Sequence, residues 1–366
     1  MTASRGYAVI AIEPMPHGLK KTGTKDSKKE AVRAPSLREL ARELGLSPTT
    51  VSLVLNDSAA ARSIPQATKD RVIEAARKLN YRPNFIARAF RARRTYTVGV
   101  LVPELGDGYS PGVLAGVAEH LLESSYFYLV AGHGRSEDLI RKYEQLFLDR
   151  CVEGIIAVDT PQRAPPPLPM ICVSGHDDVE GVTNLVLDHD QAAQLALEHL
   201  LKLGHRRIAV LQGQELSSDT DVRWRAIQAT AERLNVPIQP ELVARLEGDE
   251  PSPEPGYRAA RTLLARRAPF TALFAFNDLS AIGAIRALRE AGHRVPEDVS
   301  VVGFDDIHAA AFHHPTLTTI RQPLAEMGRM AADQLLKRIS GGPEAEYPRR
   351  ITVPAELIER QSTARI

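Results

Sequence analysis

The stretch LSPTTVSLVLN (residues 46–56) reads as a short helix with one committed face. Ser47 offers a side-chain oxygen to the first free amides, and Pro48 sits where a missing N–H costs nothing. Val51, Val54 and Leu55 share one side, enough to dock the helix on a small core. The other side carries Thr49, Thr50, Ser52 and, unexpectedly, Leu53. A hydroxyl-rich face bearing one large apolar group needs a partner outside the core.

The residues on either side build a frame for that helix. SLRELARELG (36–45) opens with Ser36 and places Glu39 three residues later, a capping box, and ends in Gly45, suited to a left-handed terminus. Leu37, Leu40, Ala41 and Leu44 form its apolar stripe. Leu46 and Ser47 complete a three-residue turn into the next helix, which is the helix-turn-helix pattern. A third helix is predicted from Gln66 to about Leu79, with Val72, Ile73, Ala75, Ala76 and Leu79 inward. Such hairpins also occur without nucleic acid, so the pattern alone leaves both readings open.

Charge tips the balance. The net charge of +1 hides 19 Lys and Arg against 8 Asp and Glu in residues 1–97, and 27 against 37 in the rest. A basic head on an acidic body suits a chain that presents one end to a polyanion. Residues 20–33, KKTGTKDSKKEAVR, are polar enough to be a disordered basic extension, and residues 1–34 are assigned to it. NYRPNFIARAFRARRT (80–95) is different. It sets Ile86 and Phe90 one helical turn apart among arginines, as expected of a segment that folds against DNA.

LRELARELGLSPTTVSLVLN and TKDRVIEAARKLNYRPNFIARAF together resemble the DNA-binding head of the lac-repressor (LacI/GalR) family of bacterial transcription regulators. The resemblance covers residues 35–95 and implies a helix-turn-helix domain over 35–81 and a hinge helix over 82–95. It implies that the second helix lies in the major groove, with Pro48, Thr49 and Leu53 at base-reading positions and Thr50 and Ser52 near phosphates. Ser47, Asn56, Tyr81, Asn84, Arg88 and Arg91 join the expected DNA contacts. Ala87 and Phe90 match the hinge residues that enter the minor groove. Two departures stand out: the family usually has leucine where Phe90 stands, and the loop from Asp57 to Ser63 is longer than its common form.

From Tyr96 the texture changes. TVGVLVP (97–103), YFYLVAG (126–132), GIIAVD (154–159), MICVSG (170–175), RIAVLQG (207–213), ALFAFND (272–278) and SVVGFDD (300–306) are apolar runs rich in β-branched residues. Helical patterns such as SPGVLAGVAEHLLESS and DQAAQLALEHLLKLG separate them. Alternating strands and helices imply parallel sheets covered on both faces, and the number of strands implies two α/β lobes. Ligands in such folds bind beyond the carboxyl ends of strands. Asp159, Ser174, Asn277, Asp305 and Asp306 fall there. Asn277, Asp278, Asp305 and Asp306 serve equally well as caps of the helices that follow.

HLLKLGHRRIAVLQG, FAFNDLSAIGAIRAL, PEDVSVVGFDD and HPTLTTIRQP extend the resemblance through nearly the whole body, which is similar to the periplasmic sugar-binding-protein fold. The effector-binding and dimerisation domain is then 96–366, with one lobe about 96–188 plus 321–350 and the other about 189–320 plus 351–362. The resemblance implies an effector between the lobes touched by Tyr109, Arg225, Asn277, Asp305 and Gln322, with Ser174, Ser110 and Glu250 at further contact positions. Family members that bind a flat base have aromatic groups where Ser110 and Glu250 stand, so a purine-type effector is not expected. Arg, Asn, Asp and Gln around one cleft suit a polyhydroxylated or acidic small molecule, a sugar or related polar metabolite. Arg225, beside Trp224 and Arg223, reads also as a surface arginine or a subunit contact.

Other signals are set aside. The surroundings of Gly112 and Gly116 lack the phosphate-loop pattern, and VSG (173–175) lacks the leading glycine of a nucleophile elbow. No catalytic grouping can be assembled, so an enzyme is not expected. His313 and His314 read as loop residues, since no further His or Cys has metal spacing; neither metal nor cofactor is expected. RAPPPLP (163–169) reads as a stiff connector. Cys151 and Cys172 suggest no disulfide framework, the N-terminus lacks a secretory pattern, and no run approaches a membrane span. A cytoplasmic location follows, with double-stranded operator DNA and a small-molecule effector as partners. No heptad repeat follows Pro354, which favours a homodimer. The alternative, a periplasmic-type sugar-binding protein without DNA function, leaves the helical head unexplained.

Overall fold

The computed structural model describes residues 35–56, 58–81, 89, 94–106, 108–248, 250–341 and 347–366. The expected basic extension, and the expected hinge residues Asn84, Ala87, Arg88, Phe90 and Arg91, lie outside the described residues. The chain divides into two compact units, one ending at Arg88 and one beginning at Ala89.

The first unit is built from α1 (Leu37–Leu44), α2 (Pro48–Leu55) and α3 (Gln66–Lys78). Ser36 caps α1 in the expected box: its amide donates to Glu39 Oε2 at 2.5 Å, and the Glu39 amide donates to Ser36 Oγ at 3.3 Å. Gly45, at φ 64°, lets the chain turn sharply into α2. Leu40, Ala41, Val51, Val54, Val72 and Ala76 close one small core. Ile73, expected inward, is 39% exposed, because the core takes Val72 and Ala76 from α3. The long loop contains a short 3-10 helix, Ala59–Ser63.

Among its described residues the second unit contains two six-stranded sheets. Sheet one uses β1 (Thr97–Val102), β2 (Phe127–Gly132), β3 (Gly154–Val158), β4 (Met170–Val173), β5 (Val182–Leu187) and β11 (Arg350–Val353), in the order β11-β5-β4-β3-β1-β2, with every pairing parallel. Sheet two uses β6 (Ile208–Gln212), β7 (Val243–Arg245), β8 (Ala272–Phe274), β9 (Ser300–Asp305), β10 (Thr318–Arg321) and β12 (Glu356–Ile358), in the order β12-β10-β9-β8-β6-β7. Only β12 runs antiparallel to its neighbour. The inner strands are buried on both faces, as parallel sheets between helices require, while the edge strands β2, β7, β11 and β12 are only partly covered. The covering helices include α4 (Tyr109–Glu123), α5 (Glu137–Asp149), α6 (His189–Lys202), α7 (Asp219–Arg233), α8 (Glu254–Ala265), α9 (Asp278–Glu290), α10 (His308–Phe312) and α11 (Leu324–Gly341).

The chain passes between the sheets three times: after β5, after β10, and after β11. The last passage is later than the expected boundary at residue 350, because Arg350 to Val353 pair with Asn184 to Leu187 and complete sheet one. On the way back, α11 packs against α4 so closely that side chains are excluded. A Cβ on Gly116 would lie 1.7 Å from the Ala325 carbonyl oxygen, and one on Gly328 would lie 2.0 Å from that of Val113. Among the described residues, no helix is long and apolar enough to cross a membrane.

Candidate functional site

In the head, α2 starts as its sequence dictates. Ser47 Oγ accepts the Thr50 amide at 3.0 Å and sits 2.8 Å from the Thr50 hydroxyl. Asn56 Nδ2 donates to the Ser52 carbonyl at 2.7 Å and to the Ser52 hydroxyl at 3.2 Å. Thr50, Ser52 and Asn56 therefore already spend part of their hydrogen-bonding capacity inside the helix. Pro48 and Thr49 are exposed, Leu53 is half-buried, and Val51 and Val54 face the core. Tyr81, expected at DNA, packs its half-buried ring against the helical core, which gives it a structural role. On α2, Pro48, Thr49 and Leu53 form the part of the outer face that is not engaged in these intrahelical hydrogen bonds.

In the body, a cleft opens between the lobes where strands end and helices begin. Its lining includes Glu104, Tyr109, Arg135 and Asp159 from lobe one, and Asp219, Arg223, Glu250, Asn277 and Asp305 from lobe two. Asp159, Ser174, Asp305 and Asp306, at the carboxyl ends of their strands, all have positive φ, between 42° and 106°. Left-handed backbone at four non-glycine residues is a local cost that surrounding contacts must hold in place.

Those contacts are dense. Arg135 donates to Asp159 at 2.7 Å. The same carboxylate accepts the Ser218 amide at 2.8 Å and the Ser218 and Ser217 hydroxyls, so residues just before α7 grip a strand-end acid of the opposite lobe. Tyr109 and Ser174 share a hydrogen bond of 2.7 Å between their hydroxyls. Ser110 is fully buried and donates to Glu104 at 2.5 Å, so it positions that acid from behind and does not line the cleft.

Arg223, not Arg225, is the α7 arginine that reaches the cleft. Both lie on α7, but two residues on a helix are about 200° apart, and Arg225 points to solvent. Arg223 is 4% exposed, pairs with Asp219 at 3.1 Å and donates to the Phe276 carbonyl. Its guanidinium lies 3.6 Å from the Phe304 ring centroid and 4.4 Å from that of Phe276, a cation–π sandwich. Asp219 also accepts from His176 Nε2 at 2.7 Å and His189 Nε2 at 3.2 Å, through the same oxygen, Oδ1.

Asp305 accepts from Gln322 Nε2 at 2.6 Å; burial pushes its carboxyl up to about 7, with Arg223 opposing the shift. Burial also raises Glu104. At Asp219 burial acts the same way, but the imidazoles and Arg223 outweigh it and hold the carboxyl well below the usual range. Asn277 caps α9 by accepting the Ser280 amide at 2.8 Å, so its capping role is real even though it lines the cleft. Glu250 is exposed at the mouth and bound to Arg258 at 3.1 Å.

The expected residues that meet at the cleft are Tyr109, Glu250, Asn277 and Asp305, with Ser110, Ser174 and Gln322 behind them. Glu104, Arg135, Asp219 and Arg223 were missed. Glu104 and Arg135 follow β1 and β2, so the strand-end rule applied evenly would have found them. DTDVR (219–223) carried the spacing of four that pairs an aspartate with an arginine on one helix face.

Comparison with known proteins adds the context. The head matches the family described as bacterial regulatory proteins, lacI family, over residues 36–84. The body matches the periplasmic binding protein-like domain over residues 197–363. The chain is similar to the HTH-type transcriptional repressor PurR of Haemophilus influenzae, at 31% identity over 341 residues covering 90% of this chain and 99% of the relative. PurR of Yersinia pestis is 30% identical over 338 residues, covering 90% and 97%. Among solved structures, the lac repressor dimer bound to operator and the anti-inducer ONPF matches with a TM-score of 0.81 and 25% identity, covering 91% of this chain and all of that one. The complex of the transcriptional regulator CelR with cellobiose matches with a TM-score of 0.64 and 28% identity, covering 90% and 99%.

Proposed function

This chain belongs to the lacI family of bacterial regulatory proteins and is an effector-controlled DNA-binding repressor, not an enzyme; we propose that its effector is a neutral polyhydroxylated molecule, a sugar or close relative, held between the lobes. The observation that carries this reading is the state of the two cleft arginines. Arg135 is taken by Asp159 and Arg223 by Asp219, so neither offers an open charge to an anion. Glu104, half-buried, and Asp305, buried, on opposite lobes, are left facing the cleft as acceptors. That inventory favours hydroxyl donors over a carboxylate or phosphate, which narrows the expected class by removing its acidic members. Phe276 beside Arg223 gives an apolar wall for a ring face.

A ligand that touches Glu104 and Asp305 at once binds one lobe arrangement better than another, and that difference alone changes operator affinity. A coupling of roughly 1–3 kcal/mol is ordinary for such devices. On the head, Thr49 and Leu53 of α2 read base edges, Leu53 through apolar contact with a thymine methyl. The protein acts as a homodimer, as the lac repressor of the similar structure does. The test is operator binding titrated with a panel of neutral sugars, sugar acids and sugar phosphates. Response to a neutral sugar supports the reading; response to an acid or phosphate alone overturns it.

A further inference from the structure

His176, His189 and Asp219 stand beside the effector cleft, and nothing in the proposed ligand chemistry requires them all. Their ligand-capable atoms lie within 4.8 Å of one another, and no other such trio occurs among the described residues. His176 follows β4 in lobe one, His189 opens α6 directly after the first passage between the sheets, and Asp219 opens α7 in lobe two. We propose that these three side chains form a binding site for a divalent transition-metal ion, of the zinc class, that ties the two lobes together.

The geometry is close to what such an ion needs. Ligands about 2.0–2.1 Å from a tetrahedral zinc stand about 3.3 Å from one another. The Asp219 Oδ1 distances to the two Nε2 atoms are 2.7 and 3.2 Å, so the ion needs the shorter pair to widen by about 0.6 Å, with all three ligand atoms already within 4.8 Å of one another. Two imidazole nitrogens and one carboxylate oxygen select zinc, cobalt, nickel or copper over magnesium and calcium, which favour all-oxygen shells.

The outer contacts are also in place. Arg223 holds Asp219 Oδ2 at 3.1 Å, leaving Oδ1 to the ion and fixing the carboxylate plane, as hydrogen-bonded metal carboxylates usually are. With both Nε2 atoms aimed at Asp219, the Nδ1 atoms of both rings are buried without a partner. That deficit exists as lone pairs in the hydrogen-bonded trio and as N–H groups in the metal form, so the ion adds no new unpaired position. Asp219 lines the cleft, so a fourth position there is open to water or to a hydroxyl of the effector.

The test uses full-length protein stripped with a chelator and then titrated with zinc in competition with a chromophoric chelator. One zinc per chain is expected, with His176→Gln and His189→Asn each weakening it by more than about tenfold, the scale seen when even a ligand's outer contacts are disturbed. The control is H313Q/H314Q, which alters surface histidines and should bind as the parent does. Cobalt in place of zinc should give the strong visible absorption of a tetrahedral site, a readout indifferent to small losses of stability in the variants. Equal zinc affinity in the parent and the H176Q/H189N double variant overturns the proposal. So does equal loss in the control, or the pale spectrum of octahedral cobalt.

Discussion

Arg223 and Arg225 are separated by one residue and by the whole difference between cleft and solvent. Removing Arg223 strands Asp219 as a buried charge with one fewer partner, and breaking such pairs costs about 3–5 kcal/mol. Arg223→Ala should therefore lower the denaturant midpoint markedly and abolish the effector response. Arg225→Ala should change stability by no more than about 0.5 kcal/mol and leave the response intact. Equal behaviour of the two variants in paired unfolding and operator-release assays would return the assignment to Arg225.

Asp305 makes a pH prediction with a definite sign. Its carboxyl is at 3.8 when unfolded and about 7 when folded, so the folded state binds the proton more tightly. That preference stabilises the fold fully below about 4 and is lost as pH rises toward 7, at up to about 1.4 kcal/mol per pH unit. Asp305→Asn cannot titrate, and its stability should fall less than the parent's between pH 5 and 7. Identical slopes in unfolding titrations at several pH values would place the Asp305 carboxyl in the ordinary range.

Helices α4 and α11 meet where Gly116 faces Ala325 and Gly328 faces Val113. The obstacles are backbone carbonyls, which cannot swing aside as a side-chain tip can. Gly328→Ala should cost about 1–3 kcal/mol or more by forcing the helices apart, despite the better helix propensity of alanine. A thermal melt at or above the parent's would show that the contact can relax. For α2, Thr49→Ala and Leu53→Ala should alter the consensus selected from random DNA while leaving the core of Val51 and Val54 intact. An unaltered consensus would mean another element reads the bases.

At this scale the sequence was most legible where period and punctuation agreed. The capping box at Ser36, the Gly45 turn and the Pro48 start all appear in their expected places, as do the seven apolar strands. The strands it hid are β5, β7, β10, β11 and β12. They are short or diluted by Thr, Asn, Arg and Glu, and three of them lie at sheet edges where burial is incomplete. The cleft was half legible for a related reason. Residues just after strands announce themselves, whereas Arg223 and Asp219 reach the site from a helix, where only the face decides.

In the whole molecule, both lobes are assembled from pieces far apart in the chain. Sheet one needs β11 and sheet two needs β12, strands that lie within nine residues of each other near the end. The final segment is pinned deeply: Ser362 is fully buried and donates to the Val301 carbonyl at 2.6 Å, and the Ile366 amide donates to the Leu203 carbonyl at 3.1 Å. The helical head, by contrast, takes its core entirely from residues 37–81.

That arrangement has a consequence for synthesis. A ribosome delivers the head first, and the head holds every residue its own core requires. The body follows strand by strand, yet the edge of β5 stays bare from residue 187 until β11 arrives at 350, and that of β10 from 321 until β12 arrives at 356. Each growing chain therefore carries one open template for strand addition while residues 188–349 are made, and a second from residue 322 onward, the condition under which neighbouring nascent chains stick together. Messages truncated between residues 187 and 350 should yield aggregates bearing a folded head.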